Sequence, residues 1–283
     1  MMIGFCLLLI VSAGCDMMDK LKGWASEMKV TVCELGNDPA VFARDWKKLA
    51  DHAKTERSDL ILLPEMPFFP WFAWSSVFEP SVWRSAVQAH QDAFSLLEQL
   101  APAFVCGSRP VDKKGKRQNE AFVWEKNGGF RTAHTKHYLP DEEDFWEASW
   151  YERGEGHFLP IQVGEAHLGF LICSDIWFFH HARSYGKKGV HLIACPRATP
   201  RETLDKWVAG GQAAAVVSGA FALSSNRIGQ AGEKTNLGGQ GWIVDPDGKV
   251  LGLTSREHPF LTLDLDLQKA DQAKRTYPRY IED

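Results

Sequence analysis

The sequence has no G-x-S-x-G element, so the usual signature of a serine hydrolase is missing. It has no C-x-x-C pair among its 6 cysteines, which removes the common zinc-knuckle and dithiol redox patterns. The glycine-rich stretch from Gly229 ends in Glu233-Lys234-Thr235 and lacks the Gly-Lys step of a phosphate loop. No excess of positive charge exists either. Lys and Arg number 32 against 36 Asp and Glu, a net charge of -4, so there is no basic field to hold a nucleic acid. Long apolar runs are also absent. The longest, Ile3 to Ala13, is about half of the ~20 residues a membrane-spanning helix needs.

That run is followed by Ser12-Ala13-Gly14-Cys15, which loosely resembles a lipoprotein signal, although no Lys or Arg precedes it. Residues 1–27 therefore read either as an export or lipid-anchoring segment carried by residues 1–15, or as an extension ahead of a domain spanning 28–283. The cysteines form no disulfide framework, which fits a reducing, cytoplasmic setting. Cys33, Cys106 and Cys195 sit in apolar strand-like runs and read as inert core thiols.

Tryptophan is abundant, with 11 residues, several in segments that otherwise look like loops. Apolar residues make up 45% of the 283, enough for one large domain with a substantial core. Met28 to Leu35 alternates and carries β-branched residues, so it reads as a first strand. Asp38 and Pro39 then start a helix that runs to about Glu56. Ser81 to Leu100 reads as one amphipathic helix, and Glu202 to Ser218 as another. Asn127-Gly128-Gly129, Gly164-Glu165 and Pro246-Asp247-Gly248 mark three hairpins. The tail from Gln268 reads as polar. Strand–helix units mixed with hairpins imply two mixed β-sheets covered by helices in a single α/β domain.

Three apolar strands end in chemistry-bearing residues: Glu65 after LILLP, Lys136, and Cys173 after GFLI. Each has a bland reading alone: a salt-bridged strand end, a solvated lysine and a buried small hydrophobe. Together they fit one logic. A thiol at the mouth of a sheet, beside the N–H groups of the next turn, is placed to ionise and to bind an oxyanion. An acid can take its proton, and a cation can hold the oxygen charge that develops.

These stretches resemble the nitrilase superfamily of carbon–nitrogen hydrolases. LILLPEMPF, HTKHYLP and GFLICSD occur in the family's order, supported by CPRAT, SSNRIG and GWIVDPDGKVLG. The resemblance covers about Met28 to Tyr280. It implies a four-layer αββα sandwich that associates as a homodimer or higher homo-oligomer. It also implies an amidase mechanism through a thioester, with Cys173 as nucleophile, Glu65 as base, Lys136 and the backbone N–H of Ser174 on the oxyanion, and no metal or other cofactor. KHYLPDEEDFWEASWYERGE resembles the branch with N-carbamoylputrescine amidases and N-carbamoyl amino acid hydrolases. That likeness makes Glu147 a fourth site residue, ahead of Trp150, Tyr151 and Gly154.

The substrate expected is a small amide or N-carbamoyl compound. Ser174-Asp175 replaces the Trp-Glu of true nitrilases, and Ile176 and Trp177 replace the paired arginines that bind an amino-acid carboxylate. Phe68, Trp71, Trp146, Trp177 and Pro196 are candidates for the pocket. Glu143 and Asp144 read as an amine-binding pair or as a solvated acidic loop. His134 and His137, on a strand, lack the spacing of a helix-borne zinc pair. A nitrilase, a catalytically silent binding subunit and acyl transfer to an amine remain open alternatives.

Overall fold

In the computed structural model, the residues described are 27–282. The signal-like reading of the first residues, with Cys6 and Cys15, lies outside them. Strand β1 (Glu27–Gly36) is the seam of the fold. Its first half pairs in parallel with β2 (Leu60–Leu62) and antiparallel with β13 (Phe260–Asp266). Its second half, from Glu34 to Gly36, pairs in parallel with β9 (Phe221–Ala231). One strand thus belongs to two sheets. The first continues from β2 through β3 (Phe104–Lys113), β4 (Lys116–Glu125) and β5 (Gly129–Thr135). The second runs from β9 through β8 (Leu192–Arg197) and β7 (Ala166–Phe170) to β6 (Ile161–Val163).

Alternation sets the layers. Val30, Val32, Leu60, Leu62, Ala121 and Val123 share one buried cluster with Leu168, Phe170, Leu192 and Leu223, so the two sheets face each other across a common core. The intervening residues Cys33, Ile61, Leu63, Val105 and Phe122 point the other way. They pack against Trp46, Leu49 and Ala53 of helix α1 (Pro39–Glu56). Asp38 caps α1 by accepting from the N–H groups of Ala40 and Val41, with Pro39 at the first turn. On the far sheet, α5 (Phe179–Lys187) contributes Ala182 and Tyr185, and α6 (Leu204–Ser218) contributes Ala214 and Ala215. The result is the mixed α/β sandwich the strand pattern implies.

The differences lie at boundaries. The helix expected over Ser81 to Leu100 is two, α2 (Pro80–Asp92) and α3 (Phe94–Glu98). Strands β3 and β4 are longer than their apolar runs and turn at Lys114, which takes a φ of 52°, and Gly115. Strand β9 passes beyond Asn226 and returns as β10 (Thr235–Gly238), in the stretch that carries no strand pattern. The polar tail begins with a short helix, α7 (Leu267–Ala273), that buries Leu267, Ala270 and Ala273. Among the described residues no helix is long and apolar enough to cross a membrane.

Leu49 is fully buried between α1 and the sheet. Leu49→Ala is expected to lower the unfolding free energy by about 3 kcal/mol, read from urea denaturation at unchanged m-value.

Candidate active site

Glu65, Lys136 and Cys173 each stand just past the end of a strand, β2, β5 and β7 respectively. β2 is fully buried and β7 nearly so, whereas β5 is the half-exposed edge of its sheet, and the three strand ends meet in one buried cluster. Two of the ends are sharply bent. Cys173 has a φ of 47° and Met66, next to Glu65, a φ of 45°, both in the left-handed region that side chains seldom adopt. Such elbows hold only where the surroundings fix them.

Buried hydrogen bonds do the fixing. Arg227 donates to the carbonyls of Met66 and Phe69, and the Glu65 N–H donates to the Arg197 carbonyl. Asp175 ties the cysteine elbow to the lysine strand. Its carboxylate accepts from the N–H groups of His137 and Tyr138, from Ile172 N–H and from His134 Nε2. His137 Nδ1 in turn lies 2.7 Å from the Gly154 carbonyl. Gly154 is required here by crowding, because a Cβ would sit 2.5 Å from the Thr135 carbonyl oxygen.

Lys136 Nζ lies 2.9 Å from Glu65 Oε1 and 2.5 Å from Glu147 Oε2, with all three side chains buried. Glu147 opens the short helix α4 (Glu147–Trp150) and accepts from the Tyr151 hydroxyl. Asn119 Nδ2 donates to Glu65 Oε1 at 2.8 Å. Glu65 Oε2 and Glu147 Oε1 are buried without a hydrogen-bond partner. Lysine offers three N–H donors and two are engaged here, so one remains for a bound oxygen.

One cation between two carboxylates leaves an excess negative charge in a dry place. Burial raises the Glu147 carboxyl, Lys136 opposes this and the Glu65 charge adds to it, so that Glu147 is pushed up to about 7. Burial alone would lower Lys136, but the Glu147 and Glu65 charges beside it hold its ammonium well above the ordinary lysine range. Burial and the Glu65 charge push the Cys173 thiol well above its ordinary value, against the pull of Lys136. This corrects the expectation that the position favours a thiolate. At rest the sulfur keeps its proton. Burial raises the core thiols as well, and pushes Cys195 up to about 12.

Cys173 lies on the 3₁₀ turn Cys173–Trp177, whose first N–H groups have no acceptor within the turn. Together with Ser174, Glu147 and Tyr151 it lines a cleft of about 1230 Å³. Trp177 and Phe178 form one wall. The Trp177 ring lies 4.8 Å from that of Trp207, in space left by Gly210, where a Cβ would meet the Trp177 ring at 2.9 Å. Phe178 stacks on Tyr138 at 3.3 Å.

The other pocket candidates lie elsewhere. Phe68 packs under α1 against Trp46 and Phe42. Trp71 is core, 2% exposed, with its indole N–H on the Asp144 carbonyl. Trp146 holds the start of α4 through a bond to the Ala73 carbonyl and does not reach the cleft. Pro196 is buried within β8, and Ala198 and Thr199, just beyond it, face the cleft instead. Aromatic residues in loops can fill a core as well as a pocket, and sequence does not separate the two uses. Glu143 pairs with Lys234 and Asp144 accepts from Thr235, both away from the cleft wall. Asn119 and Asp175 are the participants that the sequence reading missed. Asn119 sits in the polar half of β4, between Gln118 and Glu120, so no break in an apolar run marks it.

A family model described as carbon-nitrogen hydrolase matches residues 29–275. A glutamine-dependent NAD(+) synthetase of Acinetobacter baylyi is 27% identical over 204 residues, 71% of this chain. The chain spans about a third of that relative's length, 36%. A 2-oxoglutaramate amidase of Bacillus subtilis is 25% identical over 234 residues, 80% of this chain and 85% of that one. Among solved structures, a carbon–nitrogen hydrolase from Helicobacter pylori G27 superposes with a TM-score of 0.79 at 20% identity, covering 89% of this chain and 94% of that one.

The site makes two predictions. Asp175→Asn exchanges an acceptor for a donor among four buried donors, and is expected to cost about 3 kcal/mol of unfolding free energy in denaturant titration. Glu147 is raised from 4.5 to about 7 in the folded protein, so ionising it costs folding free energy. Its contribution is fully present below about 4.5 and is lost as pH rises through about 7, and Glu147→Gln should flatten the stability curve across that interval.

Proposed function

The chain belongs to the carbon–nitrogen hydrolase family, and on that premise we propose that it is a cysteine-dependent amidohydrolase. It cleaves a small amide or N-carbamoyl compound through a thioester on Cys173. The observation that carries this reading is the buried Lys136, bonded to Glu65 and Glu147 and acting electrostatically on the cleft-lining thiol.

The steps follow from the free valences. As a carbonyl carbon approaches Cys173, the Sγ–H proton passes to the unpartnered Oε2 of Glu65, and sulfur bonds to carbon. The carbonyl electron pair moves to oxygen, which takes the third N–H of Lys136 and the N–H of Ser174. Glu65 returns its proton to the nitrogen, the C–N bond breaks, and ammonia or an amine leaves. Glu65 then takes a proton from water, whose oxygen attacks the thioester. The C–S bond breaks and Cys173 regains its proton. Glu147 and Tyr151 hold Lys136 aimed throughout.

An amide is favoured over a nitrile by the Ser174-Asp175 step. The likeness to 2-oxoglutaramate amidase agrees with this choice. The size of the cleft leaves room for a substrate larger than the reacting group alone.

Cys173→Ala should abolish turnover while preserving the melting temperature. Exposure of the unmodified protein to a library of amides and ureido compounds should leave an acyl mass on Cys173 alone, read by mass spectrometry. Activity retained in Cys173→Ala would refute the reading.

A further inference from the structure

The acid, lysine and thiol do not complete the buried polar system. Asn119 on β4 donates to Glu65 Oε1. Tyr151 donates to the same Glu147 oxygen that Lys136 contacts. The hydrogen bonds run in one chain: Asn119, Glu65, Lys136, Glu147, Tyr151. Five side chains from four separate segments form it, with no water-facing member except at the cleft, where Glu147 and Tyr151 line the wall. Each of the two carboxylates has one oxygen inside the chain of bonds, and the other is buried without a partner.

From the two ends of this chain of bonds we infer that Asn119 and Tyr151 are positioning residues that fix which oxygen of each carboxylate faces the reaction. Asn119 pins Oε1 of Glu65, so that only Oε2 is free to exchange a proton with Cys173. Tyr151 pins Oε2 of Glu147 against Lys136, so that the ammonium cannot turn away from the oxyanion position. A carboxylate free to rotate would offer either oxygen, and half of the encounters would find the wrong lone pairs. The inference rests on the thioester reading and adds to it two residues that act through Glu65 and Glu147.

The same bonds bear on the titration of Glu147. The groups facing Glu147 are Lys136 at the end of β5, Glu65 after β2, Cys173 on its turn and Tyr151 on its own segment. The Tyr151 hydrogen bond favours the ionised form of Glu147, and Lys136 does the same. Removing the hydroxyl must therefore move the ionisation of Glu147 to higher pH, whereas a tyrosine that merely fills space would leave it where it is.

The test uses iodoacetamide as the probe and the whole protein. The rate of Cys173 alkylation is followed by mass spectrometry across the neutral pH range in the unmodified protein, Tyr151→Phe and Asn119→Ala. The unmodified protein should show a break near the Glu147 value of about 7. In Tyr151→Phe that break should move up by about one pH unit. In Asn119→Ala the rate should fall roughly tenfold or more at every pH, because the proton acceptor is no longer held. Profiles of the two variants that superpose on the unmodified one would overturn the inference. So would failure of the isosteric Tyr151→Phe protein to fold, which would make the hydroxyl structural. If Cys173 of the unmodified protein is not alkylated in preference to Cys33, Cys106 and Cys195, the thioester reading itself fails and the inference falls with it.

Discussion

The position of one buried ammonium governs this molecule. Lys136 has no exposure to water, and its charge is tolerable only because two carboxylates approach it. Two carboxylates are one more than this ammonium neutralises. Burial is the larger force on their neighbours, and the surplus charge of Glu65 adds to it. Together they push Glu147 up to about 7 and raise the neighbouring thiol. Under the proposed mechanism such a site stays unreactive until a substrate brings a carbon for the sulfur to attack and an oxygen to take the developing charge. The negative charge would then settle on the oxyanion, where the lysine and the turn can hold it.

Holding these groups together is the task of the sandwich. Three strand ends from two sheets converge, and β1, shared between the sheets, sets their mutual position. Two of the ends carry left-handed residues that no isolated chain would populate. Arg227 on β9 and Asp175 on the cysteine turn hold these elbows through backbone bonds. The buried arginine and aspartate thus serve geometry more than stability. Charged side chains with no exposure are retained here because the bends beside them need rigid partners.

Much of this was legible in the chain. The strand ends at Glu65 and Cys173 stood out because a charge or a thiol ends an apolar run, whereas Lys136 follows a half-exposed strand and joined them by the chemistry the three make together. The alternation in β1 and the turn residues of the hairpins placed the sheets. Glu147 was legible only by resemblance, because an acid in an acidic loop carries no periodic signal. The aromatic wall was mostly misread. Phe68 and Trp71 pack into the core, Trp146 is half-buried at the start of α4, and of these aromatic candidates only Trp177 reaches the cleft. Whether a loop tryptophan faces inward or into a cavity depends on chain crossings that local sequence does not encode. The raised thiol was also beyond reach, since it depends first on how deeply the sulfur is buried and then on which charges fold against it. The break at Ala93 and the extra β9–β10 hairpin were missed because boundaries are set by tertiary contacts that override weak local preference.

The central claim is that the thiol rests protonated under the surplus charge and loses its proton only as it attacks. The most direct measurement is the ultraviolet thiolate absorbance of the free protein as a function of pH, taken as the difference from Cys173→Ser. The account predicts no thiolate signal from Cys173 at neutral pH, with the signal rising only well into the alkaline range. A full thiolate signal at neutral pH would contradict it.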